Sequence, residues 1–293
     1  MTLEQLRIFV AVAEREHVTR AAADLHLTQS ATSAAIAALE SRYDTKLFDR
    51  VGRRIELTEA GRLFLTEARA VLARARAAET LLTDLAGLKR GALSLAASQT
   101  VGNYWLPPVM QRYRASHPGI ALSLRIGNTE QVAQWVHETS ADIGLIEGEI
   151  DDPALSVSQI AEDEMVLVVG RTHPWAGRAS IAPAELAQTQ WILREPGSGT
   201  RSIFENWLAE TGIAPATLPV ALEFPSNEAI CGAVEAGAGA TVISRLVAAG
   251  GLRAESLVQV GLALPKRRFY ALRHKERHVT HAERAFAALL SES

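Results

Sequence analysis

The chain has 293 residues, is 48% hydrophobic and carries a formal net charge of −3. That length supports a sizeable core and predicts two or three domains. Cys231 is the single cysteine, which excludes an internal disulfide framework and fits a cytoplasmic location. No apolar run is long enough to cross a bilayer, and Leu3, Phe9 and Val10 alternate with polar residues instead of forming a signal-peptide core. With no CxxC or HExxH spacing, neither a metal site nor any other cofactor is expected.

The charge is uneven. Residues 1–90 hold 14 Lys+Arg against 12 Asp+Glu, whereas the remainder holds 16 against 21. Lys46, Arg50, Arg53 and Arg54 fall within nine residues, a local basic patch of the kind that meets nucleic acid.

Thr2-Leu3-Glu4-Gln5 is a capping-box pattern, and Leu3, Leu6, Val10 and Ala13 follow at helical spacing, widened by Phe9. Thr19 is the expected cap of a second short helix ending at Leu25. Thr28 caps a third, with Ala31, Thr32, Ile36 and Leu39 inward and Gln29, Ser30, Ser33 and Ala34 outward. A recognition helix needs such a face: side chains short enough for close approach, with amide and hydroxyl groups for base edges. Its N-terminus also offers free N–H groups to phosphate. The segment from Leu47 to Leu57 then reads as two strands around Gly52, with Arg50, Arg53 and Arg54 on a wing suited to phosphate neutralisation. Residues 1–57 are therefore expected to form a winged helix-turn-helix that binds double-stranded DNA through Thr28, Gln29, Ser30, Ser33, Arg50, Arg53 and Arg54.

Residues 58–90 read as a linker helix and hinge. Phe64, Val71, Ala78 and Leu85 repeat every seven residues, and Ala68, Ala75 and Leu82 form the second heptad series. Such a seam wants another helix. Dimerisation is the expectation, through Phe64, Val71, Ala75, Ala78, Leu82 and Leu85, since two half-sites on DNA require two reading heads.

Beyond Gly91, strand-like segments alternate with helical ones: Leu93–Ala97, Ile120–Ile126, Asp142–Ile146, Met165–Val169, Trp191–Leu193, Val220–Glu223, Ala240–Ile243 and Phe269–Leu272 are the strands. This alternation predicts an α/β body with mainly parallel sheets. Ligands in such bodies bind beyond strand ends, at helix N-termini. Ser98-Gln99-Thr100, Asn128-Thr129, Ser198-Gly199-Thr200-Arg201 and Ser226-Asn227 all occupy such positions. Together they suit a compact oxyanion, with Arg201 or Arg194 adding charge-assisted bonds. Taken alone, Ser226 reads better as a helix cap. An enzyme finds no support: GxSxG, a Walker loop and a complete GxGxxG are all missing, and Cys231 reads as a packed thiol. His274, His278 and His281 would share a face if helical, but a solvated basic end is the better reading.

The stretches LEQLRIFVAVAE, AAADLHLTQSATSAAIAALE, LFDRVGRRIELTEAG and FPSNEAICGAVEAGAGATVISR resemble the LysR-type transcriptional regulators, over essentially the whole chain. One departure is Ala34-Ala35, where many members carry Arg or Lys after the serine matching Ser33. The resemblance implies a winged helix-turn-helix, a linker helix and a periplasmic-binding-protein-like effector domain of two subdomains, 91–162 plus 267–293 and 163–266. It also implies a homotetramer and contact with RNA polymerase. ASQTVGNYWLP, IGLIEGE, WILREPGSGTR and SNEAI resemble the CysL- and YeiE-like branch related to cysteine and sulfur metabolism. That branch implies sulfite or sulfate as effector, with Ser98, Thr100, Thr129, Glu147, Ser198, Gly199, Thr200 and Ser226 as matching positions. An organic acid or phosphate-bearing metabolite is the alternative, and a free-standing anion-binding protein a more distant one.

Overall fold

The computed structural model describes residues 1–51, 54–85 and 91–291, with the backbone alone at 50, 51, 54, 77, 80 and 83–85. It divides into two compact units, one built on Met1–Ala86 and one on Gly87–His137 and Ala141–Ser293.

The first unit holds α1 (Leu3–Arg15), α2 (Val18–Asp24), α3 (Gln29–Tyr43), a hairpin of β1 (Phe48–Val51) and β2 (Arg54–Leu57), and α4 (Glu59–Leu85). Thr2 closes a full capping box on α1, and Thr28 caps α3. The expected Thr19 cap is corrected: α2 starts two residues earlier, at Val18, and His17 caps it through the Arg20 N–H at 3.5 Å. Ala31 faces outward rather than inward, because Thr32 occupies the buried position and bonds back to the Thr28 carbonyl at 3.1 Å. Leu6, Phe9, Leu39, Leu47, Ala68 and Leu72 form the core, with Phe64 against Phe9 at 4.8 Å between ring centroids.

The second unit holds β3 (Gly91–Ser98), a π-helical turn over Val101–Trp105, α5 (Leu106–Ser116), β4 (Ile120–Gly127), α6 (Thr129–His137), β5 (Ile143–Glu147) and β6 (Leu155–Gly170). β7 (Trp191–Arg194), α7 (Gly199–Glu210), β8 (Val220–Phe224), α8 (Asn227–Glu235), β9 (Ala240–Ser244), α9 (Arg245–Arg253), β10 (Leu257–Val260), β11 (Lys266–His274) and α10 (His281–Leu290) follow. Strand order is β4-β3-β5-β11-β6-β9-β7-β8, with β10 also paired to β6. β3 runs parallel to β4 and β5, and β7 parallel to β8 and β9. The expectation of mainly parallel sheets needs correction, because β6 and β11 run antiparallel to all their neighbours.

β6 joins two lobes within one strand. Residues Leu155–Glu164 pair with β11, and Met165–Val169 pair with β9. On one side, Leu93, Leu95, Tyr113, Leu145, Phe269 and Phe286 form a core; on the other, Leu167, Val169, Trp191, Phe204, Leu208 and Val242 do. His274 ends β11 while His281 opens α10, so the three histidines do not share a helical face.

Candidate functional site

Two sites emerge, one in each unit. In the first, α3 presents Gln29, Ser30, Ser33 and Ala34 to solvent. Thr28 is also exposed, but its hydroxyl accepts the Ala31 N–H at 3.2 Å and lies 3.0 Å from Ser30 Oγ, so the cap role engages it. The buried carboxylate of Glu40 fixes the hairpin against this helix. It accepts the N–H of Leu47 at 2.8 Å and of Phe48 at 3.3 Å, and Lys46 Nζ at 2.9 Å. Burial alone would raise its pKa; the bonds from Lys46, Leu47 and Phe48 outweigh burial and hold it below the ordinary carboxylate value. Lys46 is thus tied to its own domain. Gly52 and Arg53 lie outside the described residues, as do the side chains of Arg50 and Arg54; their backbone places both on the hairpin.

Along α4 the heptad residues divide. Phe64 and Ala68 pack on the unit's own core, which corrects Phe64 as a dimerisation residue: α1 is the helix its seam was seeking. Val71, Ala75, Ala78 and Leu82 continue at spacings of four, three and four. Val71 is 42% exposed and Leu82 68%, with Leu63 also exposed at 69%. The Leu85 side chain lies outside the described residues.

In the second unit, strand ends and helix starts converge where the lobes meet. Ser98, Thr100, Thr129, Glu147, Ser198, Thr200 and Asn227 are all buried there. Ser98 Oγ donates to Glu147 Oε2, and Thr200 Oγ1 donates to Glu147 Oε1 at 3.4 Å. Thr129 Oγ1 donates to the Glu147 carbonyl at 3.0 Å and accepts the Gly199 N–H at 3.1 Å. A side chain at Gly199 is impossible, since a Cβ would lie 2.2 Å from the Glu147 carbonyl oxygen. Ser198 Oγ is buried with no hydrogen-bond partner.

Gln99, Thr100 and Asn227 close the lobes on each other. The Asn227 N–H donates to Gln99 Oε1 at 3.0 Å and its Nδ2 to Thr100 Oγ1 at 3.2 Å, while Gln99 Nε2 donates to the Pro225 carbonyl. Tyr104 donates to Glu228 at 3.0 Å, joining the same two lobes.

Three expected ligand groups are corrected. Arg201 is committed to Glu205 and Glu223 and to the Arg194 carbonyl, so its charge is already neutralised by carboxylates. Ser226 accepts the Ala229 N–H at 3.3 Å and donates to Glu228 at 2.8 Å, which makes it the cap of α8. Arg194 is likewise held, by Glu195 and by Asn227 Oδ1 at 2.8 Å. The cation that does reach the cleft is Arg267, fully buried and missed by the sequence reading. Its Nη1 donates to Thr200 Oγ1 at 2.9 Å and lies 4.0 Å from Glu147 Oε1; its Nε donates to Asp163 Oδ2 at 2.7 Å. Ser244 Oγ donates to that same oxygen at 2.7 Å. The Lys266-Arg267-Arg268 run was the available signal, but nothing in it says which of three cations turns inward.

A helix-turn-helix head and a two-lobed α/β receptor on one chain are the parts of a ligand-controlled gene regulator. The family models agree. Residues 3–62 match the bacterial regulatory helix-turn-helix protein, lysR family, and residues 86–293 match the LysR substrate binding domain. The chain belongs to the LysR family of transcriptional regulators. The HTH-type transcriptional regulator YeiE of Escherichia coli K12 is 38% identical over 291 residues, covering 98% of this chain and 96% of that one. The HTH-type transcriptional regulator CysL of Bacillus subtilis is 34% identical, covering 84% and 82%. Full-length CbnR complexed with its target DNA has the same fold, with a TM-score of 0.71 at 23% identity, covering 100% of this chain and 99% of CbnR. This LysR-type protein is a DNA-binding transcriptional regulator with an effector-binding domain, and not an enzyme. Among the described residues, no helix is long and apolar enough to cross a membrane.

Proposed function

We propose that this LysR-type regulator senses a small oxyanion, sulfite or sulfate, in the cleft between its receptor lobes and controls genes of sulfur or cysteine metabolism. The observation that carries this reading is the set of buried hydroxyls that bond Glu147, from Ser98, Thr200 and Thr129, with the buried Ser198 Oγ at the start of α7 left without a protein partner and Arg267 supplying a buried cation. Short hydroxyl donors and the N-terminus of α7 suit a compact oxyanion, whereas a large apolar effector needs a greasier wall. The sulfur-branch strings in the sequence support the choice of ligand.

In this reading, α3 enters the major groove through Gln29, Ser30 and Ser33, and the wing arginines neutralise phosphates. Val71, Ala75, Ala78 and Leu82 pair two chains, and the receptor bodies associate further into a tetramer. The effector shifts the balance between two arrangements only by binding one of them more tightly. Isothermal titration of the full-length protein with sulfite, sulfate and phosphate tests the proposal. Binding of sulfite or sulfate, lost in the Ser98→Ala/Thr200→Ala double variant together with the transcriptional response, is the expected result. Heat from none of the three anions removes it.

A further inference from the structure

The hydroxyls of the cleft already have an acceptor. Ser98 donates to one oxygen of Glu147 and Thr200 to the other. Each hydroxyl has one proton to give. An oxyanion bound among them must draw those protons to itself, and Glu147, only 1% exposed, then loses a donor on both sides. Stripping a buried carboxylate of its hydrogen bonds is unfavourable enough to oppose binding.

Charge points the same way. Arg267 is 4.0 Å from Glu147, but its Nε and Nη2 both lie 2.7 Å from Asp163 Oδ2. One guanidinium therefore faces two carboxylates before any anion arrives. A fully ionised divalent anion would add to an existing excess of negative charge in a water-poor site.

We propose that Glu147 makes the cleft selective for an oxyanion that brings its own proton. The O–H of hydrogen sulfite, or of a hydrogenphosphate, donates to Glu147, while its other oxygens accept from Ser98, Thr200 and the unpartnered Ser198. Sulfate holds no proton near neutrality and leaves Glu147 without a donor. A site that keeps a buried acceptor rejects a ligand lacking the matching donor far more strongly than a site that merely fits shape. Glu147 is then a specificity-determining residue, which accounts for a carboxylate in an anion site. The inference rests on the oxyanion reading above and narrows it.

Phosphate and sulfate share a tetrahedral shape and differ here in protonation, so they make the decisive pair. Titration of the full-length protein near neutral pH is expected to show sulfite and phosphate binding at least ~10-fold more tightly than sulfate. In Glu147→Gln the amide keeps one acceptor oxygen and gains N–H donors, so sulfate binding improves and the ratio narrows by about 10-fold. Sulfate binding to the unmodified protein as tightly as both protonated anions overturns the inference. So does an unchanged ratio in Glu147→Gln that still binds operator DNA in a gel shift. Exclusion of phosphate along with sulfate, while sulfite binds, also overturns it, since hydrogenphosphate carries the required O–H. Absence of heat with every anion removes the oxyanion reading itself, a different outcome from loss of selectivity alone. The comparison within the unmodified protein does not depend on how the variant folds.

Discussion

Glu40 shows how one side chain can hold a DNA-reading head together. Its carboxylate ties α3 to the start of the hairpin and the residues leading into it, accepting from Lys46, Leu47 and Phe48, and bonds to a buried charged acceptor contribute about 1.5–3 kcal/mol each at most, less where solvent reaches. We expect Glu40→Gln to lower the melting temperature of the DNA-binding unit and weaken operator affinity. The folded pKa is depressed, so the stabilisation is present above the ordinary carboxylate pKa and is lost as pH falls through the folded value. A melting series from neutral to acid pH checks this: the gap between the two proteins should shrink as the pH drops. Cys231 gives a second expectation. Burial, then Glu235 and Glu228, push its thiol up to about 11, so at neutral pH it holds almost no thiolate and should react with iodoacetamide only after unfolding. Local roles of this scale were legible where partners are near in sequence, as for the Thr2 and Thr28 caps. Glu40 and Arg267 were not, because their partners lie seven and 104 residues away in Leu47 and Asp163, and only the fold brings them together.

At the scale of elements, α4 explains why periodicity alone left a question open. A heptad seam states that another helix is wanted and is silent about whose helix it is. Phe64 and Ala68 find α1 of the same chain, while Val71 and Leu82 stay exposed. The two halves should therefore respond differently. Val71→Glu with Leu82→Glu is expected to shift the protein toward monomer in analytical ultracentrifugation while leaving each fold intact. Phe64→Ala instead should destabilise the DNA-binding unit, on the order of 2–4 kcal/mol for a partly buried aromatic, as read by chemical denaturation. β6 was half legible for a related reason. Met165–Val169 is a continuous apolar run, buried throughout, whereas Leu155–Glu164 is largely polar and only partly buried, and so carries no strong period. The strand β10 and helix α9 were missed as well, their short segments being embedded in a run of small residues.

For the whole molecule, the cleft lies closed by side chains from both lobes. Gln99 alone makes two bonds across it, donating to the Pro225 carbonyl and accepting the Asn227 N–H, and Asn227 donates a further bond to Thr100. These bridges favour the closed form before any effector binds. Gln99→Ala should open the lobes, lower effector affinity, and increase hydrogen exchange in β3 and α8, while operator binding without effector persists. The DNA end has its own expectation. Arg53→Ala should weaken binding to every sequence and lower the slope of log affinity against log salt by about 0.9, whereas Gln29→Ala should lower discrimination between operator and bulk DNA. Gel shifts over a salt series separate the two. The sheet that carries the receptor sets the character of the motion involved. Because a single unbroken strand is woven into both lobes, they are not two bodies on a loose tether. Opening has to wring that ribbon about its own axis near Glu164 and Met165, so the strand acts as a torsion spring that resists separation of the lobes and draws them back toward the closed form.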